Sequence, residues 1–236
     1  MTFRRSAATL FLLAAVAVPT AALATIAFKV NSTDDTAGQD CTNPANTCTL
    51  RGAIAQAAAL GVAQEIDLPG LPHTGDVTTY TVGSPLATIT GNDITIVGNS
   101  QTTTIIESSG GTIFNLTGGS LTLSHAKITG ASSGEGIASS NANVTLDHVL
   151  LDGNTRTAVH VSGTPPSVIP TLTVMNSTIS NNSTFLGGAG VVQAEFATMI
   201  AMKDLFDTNT STGGGSAFYH HGLGSITITG STFTHN

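Results

Sequence analysis

The sequence predicts an all-β chain: a right-handed parallel β-helix, or solenoid, with a short α-helical cap at its N-terminal end. Three observations carry this. Five segments align without gaps at spacings of 23, 28, 27 and 27 residues, starting at Leu121, Val144, Leu172, Met199 and Ile226. In most of these segments apolar residues alternate with polar ones, the period of a strand with one buried face. Nothing between the segments has the pattern of a helix or the Asn-Gly turn of a tight hairpin. A repeat of this length belongs to solenoids, in which equivalent strands of successive coils stack about 4.8 Å apart.

The chain opens with a targeting pattern. Arg4 and Arg5 are followed by an apolar run over 7–18, interrupted by Pro19, and by the A-x-A site Ala22-Leu23-Ala24. Residues 1–24 therefore read as a signal peptide and not as a retained anchor. No later stretch is long and apolar enough to span a bilayer, so the mature chain from Thr25 is expected to be secreted or held at the cell surface. Loss of Arg4 and Arg5 leaves five of the seven basic residues against fourteen acidic ones. That balance argues against nucleic acid and against anionic membrane as partners. Only 9% of residues are charged, so Thr, Ser, Asn and Gly must supply the polar surface.

Residues 25–64 read as the cap. Cys41 and Cys48, in an exported chain, are expected to form a disulfide. A metal site is the lesser alternative, since no second pair of ligands stands at zinc spacing. Leu50, Ile54, Ala57 and Ala58 follow helical spacing, with Thr49 as N-cap and Gly61 as C-cap. Asp34, Asp35 and Asp40 make an acidic loop without the spacing of a calcium-binding EF-hand, and it reads as solvated.

Residues 65–236 are the repeats. Ile66 and Ile94 extend the series upstream, 28 and 27 residues before the next anchors. The apolar residue seven after each anchor (Ile128, Leu151, Ile179, Phe206, Phe233) marks a second strand after a bend. The Gly-, Ser- and Pro-rich stretches 132–140, 163–170 and 210–216 read as loops. Ten residues after the anchor stand Asn154, Asn182, Asn209 and Asn236, with Ala131 the exception. They predict a stacked Asn ladder and left-handed backbone at a turn. N-x-[ST] sequons at Asn31, Asn115, Asn143, Asn176, Asn182 and Asn209 read as strand-and-turn composition. The last unit stops on the ladder position with no capping segment after it, which points to missing coils at the C-terminus.

At this point the sequence resembles a known family. Cys48-Thr49-Leu50-Arg51-Gly52-Ala53-Ile54 is similar to the CSLREA motif near the start of many secreted bacterial right-handed β-helix proteins. The lead-in from Phe28 to Asp35, the partner Cys41, and the segments Glu65–Pro69, Tyr80–Val82 and Ile94–Gly98 resemble that family's cap and first coils. The resemblance implies architecture and says little about activity. Two positions depart from the motif: Thr49 replaces Ser, and Gly52 replaces Glu. The missing Glu removes half of a capping box, and Gly in the first turn costs about 1 kcal/mol. Gly52→Glu is therefore expected to raise the melting temperature.

Candidate chemistry is sparse. Eight residues after the anchor the repeats read Thr129, Asp152, Ser180, Asp207, Thr234. Asp152 and Asp207 stand two coils apart, about 10 Å, near the carboxyl separation of inverting glycosidases. Arg156, with Asp152 and His160, is the one mixed cluster and the candidate cation for a uronate. These three (Asp152, Asp207 and Arg156) are the candidate catalytic residues, although exposed turn aspartates fit the same pattern. Four residues after the anchor stand His125, His148, Asn176, Lys203 and Gly230. Stacked surface imidazoles are the first reading of the two histidines and a shared metal ion the second. Asp147, next to His148, is expected to face away from it. No cofactor motif is present, and no cofactor or metal is expected. The reading that follows is a non-catalytic surface solenoid for adhesion, display or contact with polysaccharide or a host surface. The alternative, by analogy of fold alone, is a polysaccharide lyase or glycoside hydrolase of pectate-lyase-like fold.

Overall fold

The computed structural model describes residues 26–236 apart from 38–39, 44, 70–75 and 186–189; the expected signal peptide lies outside the described residues. The chain winds as a right-handed parallel β-helix with three parallel sheets running along it.

The first sheet stacks eight strands: Ile26–Lys29, Gln64–Leu68, Asp93–Gly98, Ser120–Ser124, Asn143–Asp147, Thr171–Met175, Thr198–Met202 and Ile226–Thr229. The anchors fall in register as the repeat predicts, Ile94 on Leu121, Val144, Leu172, Met199 and Ile226. One register differs. Ile66 pairs with Ile96, and Gln64 takes the place opposite Ile94. A shift of two keeps the same side chains facing inward, so alternation alone does not detect it. Gln64 is consequently a buried polar residue in the apolar column.

The second sheet runs from Thr78–Val82 through Thr104–Ser108, Lys127–Thr129, Leu150–Asp152, Thr178–Ser180 and Leu205–Asp207 to Thr232–Thr234. Its inward column is Tyr80, Ile106, Ile128, Leu151, Ile179, Phe206 and Phe233. The Phe206 and Phe233 rings lie parallel, with centroids 4.6 Å apart. Burying one such side chain contributes about 1.5–3 kcal/mol, and repetition over the coils makes this axis the main source of stability.

The third sheet forms the side of the coil that the repeat does not mark. Ile89–Thr90, Phe114–Thr117, Ile137–Ser140, Val159–Ser162, Val192–Glu195 and Phe218–His221 pair in parallel. The strand Ile137–Ser140 lies within the stretch read as a loop. Its inward positions hold Ile137 and Ser139, and a buried Ser, satisfied by the Ala142 carbonyl at 2.7 Å, does not announce a core strand. From Phe114 to Phe218 the successive spacings are 23, 22, 33 and 26 residues. No constant period survives on this side.

From the coil of Leu121 onward, each bend between the first and second sheets is made by one residue with left-handed backbone. His125, His148, Asn176, Lys203 and Gly230 have φ of 56°, 53°, 51°, 59° and 64°. A second bend follows five residues later, at Gly130, Gly153, Asn181, Thr208 and His235. The Asn ladder comes immediately after it, so the expected left-handed residue is the one before each ladder Asn. The bend turns the Asn inward. The Asn182 Oδ1 accepts from the Asn154 N–H at 3.0 Å and from its Nδ2 at 2.9 Å, while the Asn182 Nδ2 donates to the Leu151 carbonyl at 2.9 Å. Asn209 and Asn236 repeat the pattern. Even Ala131 joins, its N–H donating to the Asn154 Oδ1. Since Asn154, Asn182 and Asn209 are buried, two of the sequons stand where no glycan fits.

A second polar ladder occupies the position after the first bend. The Val149 N–H donates to the Ser177 Oγ, the Ser177 N–H to the Asp204 Oδ1 and the Asp204 N–H to the Ser231 Oγ, at 2.9–3.1 Å. Side chains of one coil thus satisfy backbone donors of the previous one where the strands break off.

The cap closes the N-terminal end. Helix Leu50–Leu60 is capped by Thr49, whose Oγ1 accepts the Gly52 N–H at 3.0 Å, and ends at left-handed Gly61. Leu50, Ala53, Ile54 and Ala57 are buried in the main core; Ala58, expected on that face, lies at its margin. Gly52 is the third helical residue, as expected, but it too is buried. A carboxylate there would leave water, so the gain expected of Gly52→Glu becomes a loss. Cys41 and Cys48 form the disulfide.

Candidate functional site

The acidic loop before the cap is not solvated as a whole. Asp35 receives Arg51 of the helix through two bonds, Nε to Oδ1 at 2.7 Å and Nη2 to Oδ2 at 2.9 Å. The same guanidinium donates to the Pro85 and Ser84 carbonyls, and the Gly83 N–H donates to the Asp35 Oδ2 at 2.7 Å. Asp40 instead accepts from the Thr42 hydroxyl and N–H, which lowers its pKa. The loop therefore fastens lead-in, helix and first coil together. A cavity of about 240 Å³ lies beside the disulfide, lined by Ala27, Lys29, Asn31, Thr42 and Asn46 among others.

Asp152 and Asp207 stand two coils apart with Ser180 between them, as expected. Their surroundings are alike. The Asp152 Oδ1 accepts from the Ser180 Oγ and Asn181 Nδ2, and its Oδ2 pairs with the Lys127 Nζ at 2.7 Å. The Asp207 Oδ1 accepts from the Thr234 Oγ1 at 2.6 Å and lies 2.9 Å from the His235 Nδ1. For Asp152, burial alone would raise the pKa; the bonds from Asn181, Lys127 and Ser180 outweigh it and hold the group below the ordinary value. The Thr234 and His235 side chains do the same for Asp207. The cation beside Asp152 is Lys127 and not Arg156. Arg156 instead lies over the Phe185 ring, 5.9 Å from its centroid.

The His125 and His148 rings stack 5.0 Å apart at 4° between planes. Lone pairs in parallel ring planes do not converge on one ion, so the stack does not suit a shared metal. Asp147 faces His148 after all, with its Oδ1 2.8 Å from the His148 Nδ1 and also bonded to the Asn176 Nδ2. The left-handed residue ends the strand, and strand alternation no longer applies across it. Among the described residues no three His, Cys, Asp or Glu side chains are grouped to hold a metal ion.

The densest set of acid–base groups lies elsewhere, on the outer face of the third sheet. His160 approaches two carboxylates, with Nδ1 2.9 Å from the Glu135 Oε1 and Nε2 3.7 Å from the Glu195 Oε2. The Gln193 Nε2 donates to the Glu195 Oε1 at 2.7 Å. One coil further on, the Tyr219 and His221 rings lie parallel, and Phe196 meets His221 edge-on. Burial alone would lower the pKa of His160; Glu135 and Glu195 reverse this and raise it. Sequence reading placed His160 with Arg156 and Asp152. It missed Glu135 and Glu195 because they stand 25 and 35 residues away, across the side of the coil where the period fails.

One further carboxyl is perturbed. Asp204 is 3% exposed, its Oδ2 has no hydrogen-bond partner, and burial raises its pKa. It belongs to the polar ladder that follows the first bend.

Compared with known proteins, the chain matches no family model, no curated protein and no solved structure. Among the described residues no helix is long and apolar enough to cross a membrane.

Proposed function

We propose that this is an exported, non-catalytic β-helix protein of the CSLREA kind, released from a signal peptide at 1–24 and presenting its lateral faces to polysaccharide or a cell surface. The observation that carries the reading is the state of its carboxyl groups. Asp152 and Asp207 are both bonded by side chains of neighbouring coils, Asn181, Lys127 and Ser180 on the first and Thr234 and His235 on the second, and these bonds lower their pKa. Asp204, whose pKa burial raises, is sealed in the core. Glycosidases need a carboxylic acid that stays protonated beside the sugar, and lyases need a free base with a cation. The Arg51–Asp35 clamp and the Cys41–Cys48 disulfide give the CSLREA-like residues a structural role, which supports that resemblance.

The test is calorimetric titration of the exported protein with neutral, acidic and amino-sugar polysaccharides, alongside product analysis of the same mixtures. Saturable binding without product is expected. Turnover that Asp152→Asn or Asp207→Asn abolishes would overturn the reading. The Glu135–His160–Glu195 contact favours a second reading, a hydrolase or lyase acting on the third-sheet face. In that case Glu135→Gln and Glu195→Gln, and not the aspartate variants, remove turnover.

A further inference from the structure

His160 stands outward on the third sheet, in register with Ala138 of the coil before and Gln193 of the coil after. Its side chain is 23% exposed, and its Nε2 is buried without a hydrogen-bond partner. Two states of this site differ by a single proton. A neutral imidazole that donates from Nδ1 to Glu135 turns the lone pair of Nε2 toward the Glu195 carboxylate. Two acceptors then face each other in a covered place. A second proton converts Nε2 into a donor aimed at Glu195 and puts one positive charge between two negative ones.

We propose that Glu135, His160 and Glu195 form a proton-operated clasp across three successive coils, closed on the imidazolium and released when the imidazole loses its proton. The other groups on this face leave the logic intact. Ala138 and Gln193, in register with His160, carry no charge. Arg156, four residues upstream, is engaged with Phe185, and the His220 Nε2 lies 3.0 Å from the Ala197 carbonyl. Tyr219 and His221 belong to the next coil and contact each other. Glu135 and Glu195 thus supply the charge in contact with the ring. The raised proton affinity of His160 agrees with this.

The direction of the response follows. A histidine whose folded pKa is raised stabilises the fold fully below its unfolded value, about 6.5, and this is lost as pH rises through the folded value. Glu135 sits in the turn 131–136, and Glu195 ends its strand just before left-handed Phe196. Acid therefore tightens the turn onto the third sheet, and solution more basic than the folded midpoint of His160 frees both.

The test follows the His160 imidazole by NMR, and backbone hydrogen exchange at 131–136 and 192–195, between about pH 5 and about pH 8. The His160 midpoint is expected above the ordinary histidine value. Glu195→Gln and Glu135→Gln should each shift it downward. Exchange, corrected for its intrinsic pH dependence, should be slower on the acid side, and His160→Gln should remove that difference. A midpoint at or below the ordinary value, or one that Glu195→Gln leaves in place, overturns the proposal. Should His160→Gln not fold, the Glu195→Gln titration decides.

Discussion

Asn182 offers the sharpest measurement of what holds one coil to the next. It is 1% exposed, and the side-chain bonds it makes to its neighbours run along the helix axis. Asn182→Ala would strip partners from two buried backbone groups, the Asn154 N–H and the Leu151 carbonyl. An unpartnered buried group costs about 1–3 kcal/mol, so the variant should lose about 2–6 kcal/mol. In a chain of this size that corresponds to a fall in melting temperature of about 10 °C. Asn182→Asp should be worse at neutral pH, because an acceptor then faces the Leu151 carbonyl and the Asn209 Oδ1. The control is Asn236→Ala, since Asn236 makes the same bonds to Asn209 and Phe206 from an exposed position where water replaces them. It should cost less than about 1 kcal/mol. Urea unfolding followed by far-ultraviolet circular dichroism gives both values. Equal costs for Asn182→Ala and Asn236→Ala would refute the claim that the buried ladder carries the load.

Asp204→Asn keeps the acceptor for the Ser177 N–H and removes a buried charge, so at pH 7 it should stabilise by about 1 kcal/mol. The sign fixes the pH profile as well: with a folded pKa above the unfolded one, wild-type stability falls as pH rises from the ordinary carboxylate range through the raised value. The variant should lose that slope in a series of melting curves, and a profile identical to wild type would show Asp204 to be uncoupled. Arg51→Ala strands Asp35 and frees the Gly83–Pro85 segment, with an expected loss of about 3 kcal/mol. Arg51→Lys should recover only part of this, because an ammonium does not reproduce the two-pronged contact; full recovery in urea unfolding would contradict the clamp. Gly52→Glu, which buries a carboxylate at the helix start, should lower the melting temperature measured by calorimetry.

The two sides of the coil differed in how well they could be read from the sequence, and the difference is physical. Between the first and second sheets the chain turns on one residue, so Leu121 to Ile128 and Met199 to Phe206 have the same length, and alignment finds them. On the third side the strands are joined by segments of unequal length. Ile137–Ser140 carries no repeat signal there, and no spacing in the sequence links Glu135 and Glu195 to His160. The Asn ladder was visible because one residue type recurs. Ser177, Asp204 and Ser231 do equivalent work with different side chains, and nothing in their identity marks them as a set. The slip of two at Gln64 preserved the inward pattern and left no trace in hydrophobicity. Asp35 looked solvated because its partner Arg51 lies sixteen residues further on, in the helix.

The inequality of the third side also says where this architecture accepts new sequence. The stretch of 33 residues from Val159 to Val192 includes the excursion 163–170 and returns to the same registers as the shortest circuit. Foreign peptide spliced into that excursion should ride outside the spring without altering its pitch. A single residue added between Leu172 and Ile179 would instead spoil the one-residue bend of its own coil and take an inward side chain off its column.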